Sequence, residues 1–312
     1  MNGKLVTLIG GGGFLGRYVA QELLAAGARV RIAQRDPREA LFLKPQGGLG
    51  QTQFAAVDVT KPDSVARAVQ GSDAVVNLVG ILSGDFDAVQ ARGARHVAEA
   101  AKATGVGALV HISALGADAE SPSSYGRTKG EGEAAVLAAF PGAIILRPSL
   151  MFGREDQFVN RFAGMVASAP IVPVLRAGVK LQPLYVVDAA QAVVRALSDP
   201  AGFAGKVFEL GGPDIITMGG LIRWISGAIG RDPTIIELPD FAGAAIASFG
   251  FLPLAPITRD QWRMLQRDNV VAQGDKGLAA FGIDPTPLAA VAPGWLVRYR
   301  RQGRFGVRAA AA

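Results

Sequence analysis

The chain has 312 residues, 50% of them hydrophobic, which is long enough for one large α/β domain or for a nucleotide domain with a smaller companion. No cysteine occurs, which excludes disulfides, thiolate nucleophiles and iron–sulfur clusters, and two histidines, His96 and His111, are too few for a histidine metal centre, so no metal is expected. The formal net charge of +6, with an isoelectric point near 9.8, favours anionic partners, yet the basic residues are dispersed and no nucleic-acid motif occurs, so nucleic acid is not expected among them.

The opening MNGKLVTLIG enters a strand within a few residues and leaves no room for a signal or transit peptide, so the expected location is cytoplasmic. The strand LVTLI runs directly into a glycine turn, with Gly10, Gly13 and Gly16 at three-residue spacing, and Gly11 and Gly12 also allow a GxGxxG reading. A helix-forming run, RYVAQELLAAG, follows with Val19, Leu23 and Leu24 on its apolar face. Strand, glycine turn and helix in that order predict a dinucleotide site. The glycines let the backbone approach a pyrophosphate, and the free N–H groups of the new helix point at it. Gly10, Gly13, Phe14, Leu15 and Gly16 are therefore the expected pyrophosphate residues.

Strand-like and helix-like runs then alternate: ARVRIA, QFAAV, a helix over 62–70, DAVVNLV, a helix over 87–104, ALVHIS, a helix over 124–139, and AIILRPS. Such alternation predicts an α/β fold, a doubly wound parallel sheet of Rossmann type with a smaller C-terminal cap. The dinucleotide domain is expected over 1–150 and completed by a returning segment at about 183–212. Residues 151–182 and 213–312 are assigned to the cap and interaction region.

The end of the second strand sets the cofactor, because an acid there accepts from a free ribose 2′-hydroxyl and repels a 2′-phosphate. This chain places Gln34 and Arg35 at that point, with Asp36 one position later. A guanidinium can pair with the phosphate through a forked contact, so NADP(H) is the expected cofactor. Asp58 and Val59 are placed for the adenine edge, and Leu78, Val79 and Gly80 of NLVG for the ground beneath the cofactor ribose.

Tyr125 and Lys129 form a Tyr-x-x-x-Lys pair, one turn apart on a single helix face. An ammonium beside a phenol lowers its pKa, and such a tyrosine exchanges a proton while hydride moves between cofactor and substrate. Ser113 ends the preceding strand within reach of a substrate oxygen, and Pro148, with Arg147, follows a strand toward the nicotinamide side. Ser113, Tyr125, Lys129 and Pro148 complete the expected cofactor contacts, and the first three are the expected catalytic group.

These motifs resemble the short-chain dehydrogenase/reductase superfamily. The blocks GFLGRYV, VNLVGIL, HISALGA, YGRTKGEGE, LRPSLMFGREDQFVNRFA, LQPLYVVDAAQA and TRDQWRMLQRDNVV resemble its atypical, extended branch, which contains the NAD(P)H-binding accessory subunit of respiratory complex I and bacterial homologues. The resemblance implies a largely structural NADPH, with complex I subunits as partners and a peripheral place on the cytoplasmic face of the inner membrane. Two departures from the catalytic pattern stand out. Ala114 occupies the place of a second hydroxyl residue, and Gln90 stands where many active members carry an asparagine. The alternative is a working oxidoreductase or epimerase acting on a carbonyl or hydroxyl of a lipid-like or quinone-related substrate.

His111, inside ALVHIS, reads as a structural strand histidine. Arg154, Glu155 and Asp156 read as an ion-paired turn with Asp156 favouring the start of the next helix. Residues 241–258 carry no charge, but their prolines, glycines and length favour a buried cap helix over a membrane span or an interfacial segment. The arginine-rich tail WLVRYRRQGRFGVR reads either as a solvated, frayed end or, through Trp295, Tyr299 and Phe305, as an element that docks at a headgroup layer or subunit surface.

Overall fold

Six short, mostly apolar runs alternate with helices in the order β1 (Leu5–Ile9), α1 (Phe14–Ala25), β2 (Arg29–Gln34), β3 (Thr52–Ala56), α2 (Pro62–Val69), β4 (Ala74–Asn77), α3 (Gly93–Ala103), β5 (Ala108–Ile112), α4 (Ser124–Ala139) and β6 (Ile144–Pro148). In the computed structural model, which describes residues 1–250 and 257–305, these strands and the returning strand Val207–Leu210 form one sheet. Its order is returning strand, β6, β5, β4, β1, β2, β3, and every pairing is parallel. Parallel strands covered on both faces need continuous apolar sequence. All five β1 residues are buried accordingly, and burial of each Leu or Ile contributes roughly 1.5–3 kcal/mol.

The strand order reverses at β1, which pairs with β2 on one side and β4 on the other. Ile9 stands level with Ala33 and Asn77, so the chain leaves both neighbours beside the glycine turn. This is the crevice in which doubly wound sheets bind ligands.

The chain forms two units, one of residues 1–148, 186–210 and 272–284, the other of 149–185, 211–271 and Pro285 onward. Residues 272–284, grouped with the cap on sequence grounds, belong to the sheet unit. The Ala272 N–H donates to Glu209 Oε2 at 2.9 Å and the Glu209 N–H to Asp275 Oδ2 at 3.1 Å, while Phe281 stacks on Phe203 with centroids 4.7 Å apart. Pairing across such a sequence gap leaves no local pattern. The run expected as one helix over 87–104 is helical from 87 to 103, wound as a π-helix over Asp87–Arg92 before it continues as α3. Arg147 and Pro148 lie within β6 rather than after it. Proline is tolerated there because it is the last strand residue and its carbonyl still accepts from the Leu115 N–H at 3.0 Å.

The second unit packs Phe152, Val159, Leu221, Ile222, Ile225 and Leu296 into its own core. Asp156 does stand at the start of the next helix, as expected, but backbone N–H groups hold its carboxylate rather than an ion pair. It is buried, and its carboxylate accepts from the N–H groups of Gly153, Phe158 and Asn160, while the helix begins at Val159. Asn160 Oδ1 accepts in turn from Arg298 at 2.5 Å and from the Tyr299 hydroxyl at 3.2 Å, and Arg300 donates to the Ala228 carbonyl at 3.0 Å. The start of the tail is thus packed, which removes the frayed-end alternative for it, and residues 306–312 lie outside the described chain. Of the uncharged segment 241–258, residues 251–256 also lie outside it. Its described helix, Asp240–Ser248, is not the buried element expected, since Phe241 is 78% exposed and Phe249, just after it, 60%. Among the described residues no helix is long and apolar enough to cross a membrane.

Candidate functional site

The glycine turn has the geometry that close approach of a phosphate requires. Gly10 has φ +84°, a left-handed conformation open to glycine, and a Cβ there would meet Val79 Cγ2 at 3.3 Å. A Cβ on Gly16 would stand 2.5 Å from the Gly11 carbonyl oxygen, so only glycine lets α1 pack against the turn. α1 starts behind Gly13 with no side-chain cap and no acid in its first turn. The N–H groups of Phe14, Leu15 and Gly16 therefore keep their donor capacity for an anion. A cradle that a Cβ would fill, roofed by uncapped donors, fits a dinucleotide pyrophosphate.

At the end of β2 the three polar residues take different roles. The Gln34 amide donates to the Asp36 carbonyl at 2.7 Å. Asp36 receives the Arg38 N–H at 3.0 Å and a forked contact from the Arg38 guanidinium at 3.0 and 2.8 Å. Those Arg38 contacts hold its carboxyl below the usual carboxylate range. Arg35 is exposed. Asp58, one strand over, accepts from the Thr60 hydroxyl at 2.7 Å and the Thr60 N–H at 3.0 Å, the first of which leads in lowering its pKa, and Val59 offers its carbonyl to His96 at 2.8 Å.

The NLVG segment links the glycine turn to the tyrosine helix. Leu78 donates its N–H to Ile9 at 2.9 Å, and Val79 borders Gly10. Lys129 Nζ donates to the Ile112 carbonyl at 3.1 Å and the Val79 carbonyl at 3.4 Å, and Gly80 leaves 3.4 Å between a notional Cβ and that Nζ. Ser113, next after Ile112, is buried with an Oγ that has no partner among the described residues. Tyr125 stands one turn before Lys129 and meets the Phe86 ring edge-on at 6.3 Å. Ser113, Lys129 and the NLVG backbone are thus gathered at the carboxyl ends of β4 and β5, while Pro148 is held in β6 and Asp58 and Arg35 stand toward β3 and β2.

Burial raises the Tyr125 phenol to about 12 and lowers the Lys129 ammonium to about 8, against the opposing pull of Glu133. A phenol so protonated suits proton donation and opposes a phenolate base. Gln90 Nε2 donates to the Thr128 hydroxyl at 3.0 Å, and its Oε1 accepts from the Ile81 N–H at 3.2 Å. Both ends of this side chain are used in joining α4 to the loop after β4.

Three contacts escaped the sequence reading. Asn77 Nδ2 meets His111 Nδ1 at 3.1 Å, with Asn77 Oδ1 accepting from the Val79 N–H at 3.2 Å. Glu133 accepts a fork from Arg147 at 2.9 and 2.7 Å. Arg17 lies over Phe42, 4.8 Å from the ring centroid. Only Glu133 carried a signal, four residues beyond Lys129 on the same helix face.

Among the described residues no cluster of His, Asp or Glu could hold a metal ion. The sequence pattern of the NAD dependent epimerase/dehydratase family matches residues 6–211. NADH dehydrogenase (ubiquinone) 1 alpha subcomplex subunit 9, mitochondrial, of Mus musculus is 37% identical over 297 residues, 92% of this chain and 78% of the mouse protein. The protein of the same name from Arabidopsis thaliana is 33% identical over 326 residues, 98% of this chain and 81% of its own length. An NADPH-dependent quinone oxidoreductase from Escherichia coli, solved with NADPH, superposes with a TM-score of 0.74 at 23% identity over 93% of this chain and 99% of that one, a likeness of fold alone.

Proposed function

The chain belongs to the NAD-dependent epimerase/dehydratase family, whose cofactor is a nicotinamide dinucleotide, and from that premise we propose that it is an NADP(H)-binding accessory or assembly subunit of respiratory complex I, peripheral on the cytoplasmic face of the inner membrane. The observation that carries this reading is the 37% identity, over 92% of the chain, to a protein named as a subunit of the NADH dehydrogenase. In this reading Gly10, Gly13, Phe14, Leu15 and Gly16 hold the pyrophosphate, Lys129 the nicotinamide ribose, and Leu78, Val79 and Gly80 the surface beneath it. NADP(H) is favoured over NAD(H) because Gln34 stands at the acid position, Asp36 is neutralised by Arg38, and Arg35 is left to a 2′-phosphate.

Bound nicotinamide would supply a hydride, and the chain's own contribution to turnover would be a proton held on Tyr125 and a hydroxyl from Ser113. The unpartnered, buried Ser113 Oγ is the observation that favours the second reading, an active oxidoreductase on a carbonyl or hydroxyl substrate. One experiment separates the two. Untagged complex I is purified from cells carrying the normal chain or Tyr125→Phe, with cofactor content and comigration measured and a carbonyl and quinone panel assayed. Comigration and retained NADP(H) in both forms support the subunit. Activity that falls roughly 100 to 10,000-fold in the variant, without comigration of either form, supports the enzyme.

A further inference from the structure

We infer that Arg17 is a second arm of the grip on the adenosine 2′-phosphate of the cofactor, held in position by the ring of Phe42. This rests on the NADP(H) reading above and adds a residue that the end of β2 does not supply.

Arg17 is the fourth residue of α1, in a first turn that contains no acid and has no capping side chain. A cation near a helix N-terminus opposes the helix dipole unless an anion lies close by. The structure offers Arg17 no such anion from the protein: its Nε is buried without a hydrogen-bond partner, and no carboxylate pairs with it among the described residues. The nearest acid along the chain from β2, Asp36, is taken by Arg38.

The contact that Arg17 makes favours the 2′-phosphate over the pyrophosphate. Its guanidinium stacks 4.8 Å from the centroid of Phe42, in the 3-10 run Pro37–Gln46 that the chain enters straight from Arg35 and Asp36. The same run touches the glycine turn, since a Cβ on Gly12 would stand 3.0 Å from Ala40 Cβ. Arg17 is thereby held against the segment that leaves β2 through the exposed Arg35. A phosphomonoester dianion presents three oxygens and accepts forks from two guanidiniums at once. A free ribose hydroxyl gains little from either.

The test is calorimetric titration of the full chain and of Arg17→Ala with NADPH, NADH, adenosine 2′,5′-bisphosphate and 5′-AMP. Arg17→Ala should weaken NADPH and the bisphosphate by about tenfold or more, and leave NADH and 5′-AMP within about twofold. Arg17→Lys keeps the charge but loses the planar fork and should fall in between. Phe42→Leu should weaken the same two ligands by a smaller factor. Equal losses for NADPH and NADH would make Arg17 a pyrophosphate or packing residue and overturn the inference, as would unchanged NADPH binding. If Arg17→Ala does not fold, unaltered NADPH binding by Arg17→Lys and Phe42→Leu overturns it equally. A normal chain that holds NADH as tightly as NADPH removes the NADP(H) reading itself, whereas a normal preference that survives in all three variants removes Arg17 alone.

Discussion

Asp36 shows how one hydrogen bond decides what a neighbour is free to do. On sequence its carboxylate competes with Arg35 for the ribose, yet both oxygens are engaged by Arg38 and one caps the following 3-10 run. Arg35→Ala should therefore narrow the NADPH over NADH preference by about 1.5–3 kcal/mol, read as the change in the ratio of calorimetric affinities. Equal affinity of the normal chain for both cofactors would sink the assignment. His111 gives a second prediction. Asn77 donates to its Nδ1, so the ring is neutral with its proton on Nε2, and burial, aided by Lys129, pushes its pKa from 6.5 down to about 3. A depressed folded pKa gives stability that is complete above pH 6.5 and declines as pH falls toward 3, by at most about 1.4 kcal/mol per unit. His111→Gln keeps an acceptor for Asn77 but cannot titrate. Urea midpoints between pH 7 and 4.5 should fall less steeply in the variant, and parallel slopes would show that no neutral histidine is being forced to charge. The sequence marked His111 as structural because of its place in a strand. Its partner was invisible, because Asn77 is 34 residues away and only sheet register makes them neighbours.

At the scale of elements, α4 carries Tyr125 and Lys129, and Gln90 ties it to the loop after β4. The π-helical segment Asp87–Arg92 sets Gln90 against α4, where Gly132 is required because a Cβ would come 2.5 Å from the Gln90 carbonyl oxygen. Gln90→Leu strips one partner from Thr128 and one from the Ile81 N–H. It should cost about 1–3 kcal/mol of stability by denaturant titration and also weaken NADPH, because Val79 and Gly80 lie on the loosened loop. Thr128→Val, which spares the Ile81 bond, should destabilise with little effect on cofactor. Matching losses of NADPH affinity in the two variants would deny Gln90 its hold on the loop. The six strands and four helices were legible because apolar runs, glycine turns and amphipathic periods are local signals. The site was legible in part for the same reason, since Gly10 to Gly16 and Tyr125 to Lys129 are short motifs. The π winding of residues 87–92 has no composition of its own, and the docking of 272–284 depends on Glu209, Asp275 and Phe281 meeting across more than sixty residues.

Across the whole chain the charge is unevenly divided between the two units. The sheet unit holds 18 basic and 18 acidic residues, whereas the other unit holds 14 and 8, so the formal excess of +6 lies entirely on the second. That unit also exposes Phe241 and Phe249. Apolar and basic groups together suit an anionic surface, and attachment through them weakens as salt screens the charges. The tail must be cut with its packing in mind. Arg298 and Tyr299 supply the hydrogen bonds that Asn160 Oδ1 accepts, and Arg300 binds the Ala228 carbonyl. Ending the chain after Val297 should therefore cost the second unit about 2–4 kcal/mol through these lost contacts and lower its melting transition. Ending it after Gln302 keeps all three residues, removes Arg304 and Arg308, and should leave both melting and NADPH content unchanged. The longer truncated chain then isolates the contribution of the last arginines to docking. Fractionation with membranes across a salt series should release it at lower salt than the normal chain, with cofactor content equal in the two. If both forms leave the membrane at the same salt concentration, the final arginines do not contribute, and the charge that holds the protein lies elsewhere on the second unit.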